Sequence, residues 1–207
     1  MMPQSNSTCI TQMLAITTFD TRPLREGALE IQPANEQDEI ETSAYALDQA
    51  LAELKGFSMV SLQQESLSVH RLVQAVQRDG LDDSLHRRWA ERAVRALDGV
   101  FPDVEYSAWP LCGRLISHAQ PLASLIDEYG FDFPEAARLM NRAGQYLAER
   151  AQYAEAELFF KRALDIREKA LGHEHPDTVS ALKNYATLLR KMSRENEADE
   201  LEARGAA

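Results

Sequence analysis

The feature that most constrains this chain is a repeat of period 42 in its last third. Met140, Gly144, Leu147 and Ala156 recur as Leu182, Ala186, Leu189 and Ala198, each pair 42 positions apart and each of the same kind. A self-similar period in this range marks stacked supersecondary units, because one unit cannot bury its apolar face alone and must lay it on a neighbour. Small residues at the recurring sites let paired helices approach, and large ones such as Phe160 fill the gaps. Phe160 maps to Glu202 and Ala163 to Gly205, so the second copy is expected to be a frayed or capping hairpin.

The connection between the copies has its own logic. Gly172 suits the end of a long helix, Pro176 forbids its continuation, and Asp177 is placed to accept hydrogen bonds from the first free amides of the next helix. The run Arg162 to Thr178, RALDIREKALGHEHPDT, closely resembles the linker of the longer, kinesin-light-chain-like tetratricopeptide repeats. The resemblance implies an α-solenoid of helical hairpins over 134–207 that binds another protein. His173 and His175 read as part of a plain turn, since a metal pair there lacks a third ligand nearby.

Upstream, Ala44, Leu47, Leu51 and Leu54 recur at helical spacing, with Gly56 as the expected stop. Met59 to Leu62 and Leu67 to Val69 flank Gln63 to Ser66 in the short alternation of a β-hairpin. Leu72, Val73 and Val76 then predict a brief helix ending at Asp79 and Gly80. Helix, hairpin and helix in this compass outline a small winged-helix domain. The run Leu67 to Val76, LSVHRLVQAV, resembles the end of the winged-helix domain in bacterial signal-transducing NTPases of the STAND class, which carry an NB-ARC nucleotide module and often tetratricopeptide arrays behind it. That family has a Met-His-Asp motif here, whose histidine reaches the diphosphate of bound ADP. His70 matches the histidine, while Val69 stands for the Met and Arg71 for the Asp. No GxxxxGK[ST] loop occurs, so this sequence has no phosphate cradle of its own, and the resemblance implies the C-terminal part of such an NTPase. Nucleotide sensing by His70 would need a module in trans. Its structural use would be to cap or pack the strand–helix junction.

Between these parts, Asp83 or Ser84 is expected to cap a helix with Leu85, Trp89, Ala93, Ala96, Leu97 and Val100 inward, closed by Gly99 and Pro102. Pro110 suits the first turn of another, with Leu111, Leu115, Ala119, Leu122, Leu125 and Ile126 inward and Pro121 expected to kink or split it. Trp89 and Trp109 are read as core. The expected organisation is a disordered tail at 1–18, a winged-helix-like domain at 19–83, a helical linker or cap at 84–133 and two hairpins at 134–207. The fold class is mainly α.

The 22 basic residues against 33 acidic ones give a net charge of -11, which repels a phosphate backbone and an anionic membrane. Much of the excess lies early: 24–41 is acidic, with Glu26, Glu30, Glu36, Asp38, Glu39 and Glu41 following Arg25. A winged-helix DNA-binding regulator is a further reading, but the helix before the hairpin carries Asp48 and Glu53 with only Lys55, and Arg71, Gln74 and Arg78 give thin basic support. Cys9 and Cys112 lie far apart without metal spacing, and the N-terminus lacks a basic n-region, so a reduced, cytoplasmic setting without membrane insertion is expected. No nucleophile, base and orienting group can be picked out, so neither catalysis nor a cofactor is implied.

The first helix of each tetratricopeptide hairpin lines a groove, and the register names its residues: Arg138, Asn141, Arg142, Gln145 and Glu149, then Lys183, Asn184, Thr187, Arg190 and Lys191. Five are cationic and one is acidic. The expected partner is a protein or acidic peptide, or a chain-terminal carboxylate. An alternative is a subunit that docks on a separate NTPase and adjusts its nucleotide state through His70.

Overall fold

A computed structural model describes residues 18–20, 51–63, 66–70, 72–75 and 82–205. The acidic stretch 24–41, the tail ahead of Thr18, Cys9, Ala44, Leu47, Arg71, Val76, Arg78 and the Asp79–Gly80 stop lie outside the described residues. The chain divides into two compact units, Met1–Val100 and Phe101–Ala207.

In the first unit, β2 (Val60–Gln63) and β3 (Ser66–Val69) form the expected antiparallel hairpin, with Val60 opposite Val69 and Gln63 opposite Ser66. A third strand, β1 (Thr18–Asp20), pairs antiparallel on the other side of β3, giving the order β1-β3-β2. Three residues are too few to show alternation, which is why the sequence reading missed it. Leu51 and Val60 are buried together, with Val69 packed on them. The helix before the hairpin ends at Gly56 as expected, but Gly56 is not the left-handed residue of its C-terminal turn. Its left-handed cap is Ser58, at φ 56°, and Met59 N–H closes the turn on the Leu54 carbonyl at 3.0 Å.

Helix α1 (Asp83–Val100) also belongs to this unit. Its cap is Asp82, one residue ahead of the expected Asp83 or Ser84: the Asp82 carboxylate accepts the Leu85 amide at 2.9 Å and the Ser84 hydroxyl at 2.6 Å. The buried stripe is Ala90, Val94 and Leu97, rotated by about one residue, roughly 100° on a helical wheel, from the one expected. Trp89 is therefore exposed rather than core, and the Arg92 guanidinium lies over its ring.

The second unit is helical throughout its described length. After a short 3-10 turn at Tyr106–Ala108 come α2 (Trp109–Tyr129), α3 (Pro134–Glu149), α4 (Tyr153–Leu171), α5 (Pro176–Lys191) and α6 (Glu195–Arg204). Prolines in the first turns of α2, α3 and α5 cost no hydrogen bond, since those amides have no partner inside the helix. Pro121 does not split α2: buried Ala119, Leu122, Ala123, Leu125 and Ile126 hold the turns on both sides of it. Helix α2 packs on α3, and α3–α4 and α5–α6 are antiparallel hairpins stacked in sequence.

The repeat reappears in the backbone. Ala151 ends α3 and Ser193 ends α5 in the same left-handed conformation, φ 59° and 60°, and each is followed by an amide that reaches back five residues, Gln152 to Leu147 and Arg194 to Leu189. Inside the first hairpin, Gly144 sits against Phe159 and Phe160 so closely that a Cβ there would lie 3.2 Å from the Phe160 ring and 3.3 Å from the Phe159 Cβ. Ala186 holds the equivalent place in the second copy, where Glu202 replaces Phe160 in the sequence. Gly205 still meets Leu182, so the second hairpin keeps the small-residue contact at its end and loses only the aromatic plug.

Gly144→Leu should therefore lower stability by about 2 kcal/mol, the overpacking cost outweighing the better helix propensity. Ala186→Leu should cost less. Urea midpoints of the two variants check the difference; equal losses would mean that the Phe160 contact does not set the spacing.

Candidate functional site

The predicted groove residues all lie on α3 and α5. The Asn184 side-chain amide donates to the Asn141 Oδ1 at 3.0 Å, tying the first helices of the two hairpins together. Both asparagines are half-buried, whereas Arg138, Glu149, Lys183, Thr187 and Lys191 are exposed and Gln145 is half-buried. Thr187 turns its hydroxyl back to the Lys183 carbonyl at 2.8 Å.

Two predicted groove cations are engaged elsewhere. Arg142 donates to the Phe101 carbonyl at 3.1 Å and pairs with the Asp103 carboxylate at 2.9 Å, so it pins the segment entering α2. Arg142 and Asn184 are repeat equivalents, and each bonds to an earlier part of the chain outside its own hairpin. Arg190 is held by α6, at 2.6 Å and 2.8 Å from the two Glu202 oxygens and 3.0 Å from Asp199. Its equivalent in the first copy is the buried Ala148, a signal in the sequence that this position faces the second helix of its hairpin.

One residue absent from the predicted set bridges α4 to α5. Arg167, near the end of α4 and half-buried, donates to the Asp177 carbonyl in the first turn of α5 at 2.8 Å. Burial pulls its guanidinium below the usual range, the Asp177 carboxylate opposes that, and the like charge of Arg138 adds to it. Arg138 on α3 and Arg167 on α4 are thus electrostatic neighbours, and a guanidinium stays charged at neutral pH. The α5 cap is His175, whose Nδ1 accepts the Asp177 amide at 3.2 Å, in place of the expected Asp177 side chain. Pro176 occupies the first helical position, which puts the imidazole one residue ahead of it and within reach. Among the described residues no group of three metal-ligating side chains occurs.

Between the hairpins lies a charged knot. Glu157 on α4 accepts from Tyr185 at 2.8 Å and pairs with Arg194 at 2.9 Å and Lys161 at 3.1 Å. Burial raises the Glu157 pKa, but these three donors outweigh it and hold the carboxyl below its ordinary value. The Tyr185 phenol is pushed up by its burial and by Glu157. Hydrogen bonds from Arg194 and Arg190 likewise lower Glu197 and Glu202.

In the first unit, His70 is exposed. Its Nδ1 accepts the Leu72 amide at 3.2 Å and its own amide donates to the Met59 carbonyl at 2.9 Å, so it caps the turn after β3.

Residues 135–207, which span the stacked hairpins, match the tetratricopeptide repeat family. The chain is also 31% identical over 157 residues, 73% of its length, to a nucleotide-binding leucine-rich repeat (NLR)-like protein of Hyaloscypha variabilis. It spans only 15% of the length of that relative. Among the described residues no helix is long and apolar enough to cross a membrane.

The lowered carboxylates predict acid sensitivity of the C-terminal hairpins. A carboxyl with a depressed pKa in the fold contributes stability fully above its unfolded value, about 4.3, and loses it as pH falls through the folded value. Urea midpoints should thus drop below about pH 4.5, and Glu157→Gln should be less stable at neutral pH with a flatter acid limb. An unchanged limb would remove Glu157 from the account.

Proposed function

We propose that this chain is a protein-interaction module, a tetratricopeptide scaffold or adaptor, whose α3–α5 face receives an extended, acidic segment of a partner protein. The observation that supports this best is the Asn141–Asn184 pair. One amide N–H and one amide oxygen are spent on each other, leaving donors and an acceptor on the same half-buried spot, the complement of an extended main chain. Arg138, Lys183 and Lys191 place positive charge beside it on a protein of net charge -11.

The resemblance of the upstream domain and the likeness to an NLR-like protein support a wider role. The chain serves as the regulatory, partner-sensing end of a STAND-type signalling NTPase, working in the cytoplasm and without catalysis of its own. Selection of a displayed random-peptide library against the full chain tests the groove. Acidic peptides should be enriched, Asn184→Ala and Lys183→Glu should each weaken them about tenfold, and Arg142→Ala should leave them bound. Enrichment without acidic bias, or binding indifferent to Asn184, would refute the reading.

One observation favours docking on a separate NTPase as a second reading. Because Nδ1 of His70 accepts a hydrogen bond, the neutral ring carries its proton on Nε2, a donor suited to a phosphate oxygen. ADP-dependent capture of an NTPase, abolished by His70→Ala, is the outcome expected of it; capture indifferent to ADP would exclude it.

A further inference from the structure

We infer that Tyr106, Trp109 and Arg150 form a docking site, where α2 begins and α3 ends, for a proline-rich segment of a partner protein that carries a basic residue. The site uses neither Asn141 nor Asn184 and does not depend on what the α3–α5 face binds.

Packing of α2 on α3 builds it. Gly113 lies so close to Tyr146 that a Cβ there would be 2.9 Å from the phenol oxygen, which fixes the level at which the two helices meet. One turn earlier on α2 is Trp109, and one turn later along the antiparallel α3 is Arg150. The register thus brings the Arg150 guanidinium over the Trp109 ring, 5.3 Å from its centre. Tyr106 arrives from the short 3-10 turn ahead of α2, where its carbonyl accepts the Trp109 amide. That closure sets the two rings 5.1 Å apart between centres, tilted by 55°. Trp109 is half-buried, whereas Tyr106 is 83% exposed, a large aromatic face left in water at the junction of two packed helices. Aromatic residues and arginines anchored in this way are the types that carry most binding energy at interfaces.

Hydrogen-bonding capacity and charge give the partner's chemistry. The indole N–H of Trp109 is shielded from solvent and has no acceptor, and among the described residues the Arg150 side chain has no carboxylate or carbonyl partner. Both groups can only donate. The side chains that flank the indole, Tyr106 and Arg150, are exposed, so a ligand can displace them to reach it. A proline-rich segment is the complement: its prolines have no N–H, its extended helix spends no carbonyl internally, and its flat rings lie on aromatic faces. Glu105 and Glu149, exposed and next in the chain to Tyr106 and Arg150, form no ion pair among the described residues. Two carboxylates against one guanidinium favour a lysine or arginine in the segment and oppose an acid.

The chain has two tryptophans, so the indole N–H NMR signals of the full chain test this directly. The probes are a heptaproline peptide ending in arginine amide, the same peptide ending in glutamate amide, and a glycine–serine peptide of equal length ending in arginine amide. The Trp109 signal should shift and saturate with the proline–arginine peptide, while that of Trp89, also exposed and also under an arginine, stays still. The glutamate-ended peptide should bind several-fold more weakly, and the glycine–serine peptide not at all. Tyr106→Ala, at an exposed position, should weaken binding about tenfold without unfolding. Arg150→Met, which keeps a long side chain over the ring but no donor, should weaken both proline peptides. Glu105→Gln combined with Glu149→Gln should erase the preference for arginine over glutamate.

No shift with any peptide, equal shifts of Trp89 and Trp109, or undiminished binding by Tyr106→Ala would overturn the site. A Trp109 signal that moves with protein concentration but not with peptide would give the place to a second copy of the chain, and tighter binding of the glutamate-ended peptide would give it to an acidic segment. Either result overturns the proline-rich assignment.

Discussion

The close approach of Gly144 to Phe159 and Phe160 sets the spacing on which the α3–α5 face depends. A helix with no side chain at one point can lie against two aromatic rings, and that contact fixes both the distance and the register of the hairpin. Register then determines which residues of α3 look toward α5 and which look away. Asn141 meets Asn184 because they lie 43 positions apart, one more than the period, so their side chains lean toward each other across the boundary between hairpins. Had they been strict equivalents, they would point in parallel and miss.

Charge on this unit is sorted by the same geometry. Arg142, Arg190 and Arg194 are each held by a carboxylate or carbonyl from another element, and they fasten the pieces together. Exposed ion pairs stabilise little on their own, but Glu157 is mostly buried and bonded three ways, which makes it the electrostatic centre of the junction between hairpins. Where the second copy lacks an aromatic plug, Glu202 turns to Arg190 instead. An ion pair thus stands on that side of the second hairpin, where the first has an aromatic ring.

Much of this is legible in the sequence because spacing is a one-dimensional record of packing. The 42-residue period and the first-turn prolines of α2, α3 and α5 can be read from identity and position alone. What is hidden needs a partner far along the chain. Arg190 looks like a groove cation until its equivalent Ala148 is seen to be buried, and Arg142 until the Phe101 carbonyl is found beneath it. Helix α1 is mis-phased because Trp89 attracts a core assignment by size, although Ala90 and Val94 make the tighter inward stripe. Ser58 and Asp82 take the caps expected at Gly56 and at Asp83 or Ser84, since backbone conformation at a helix end is decided by the whole turn.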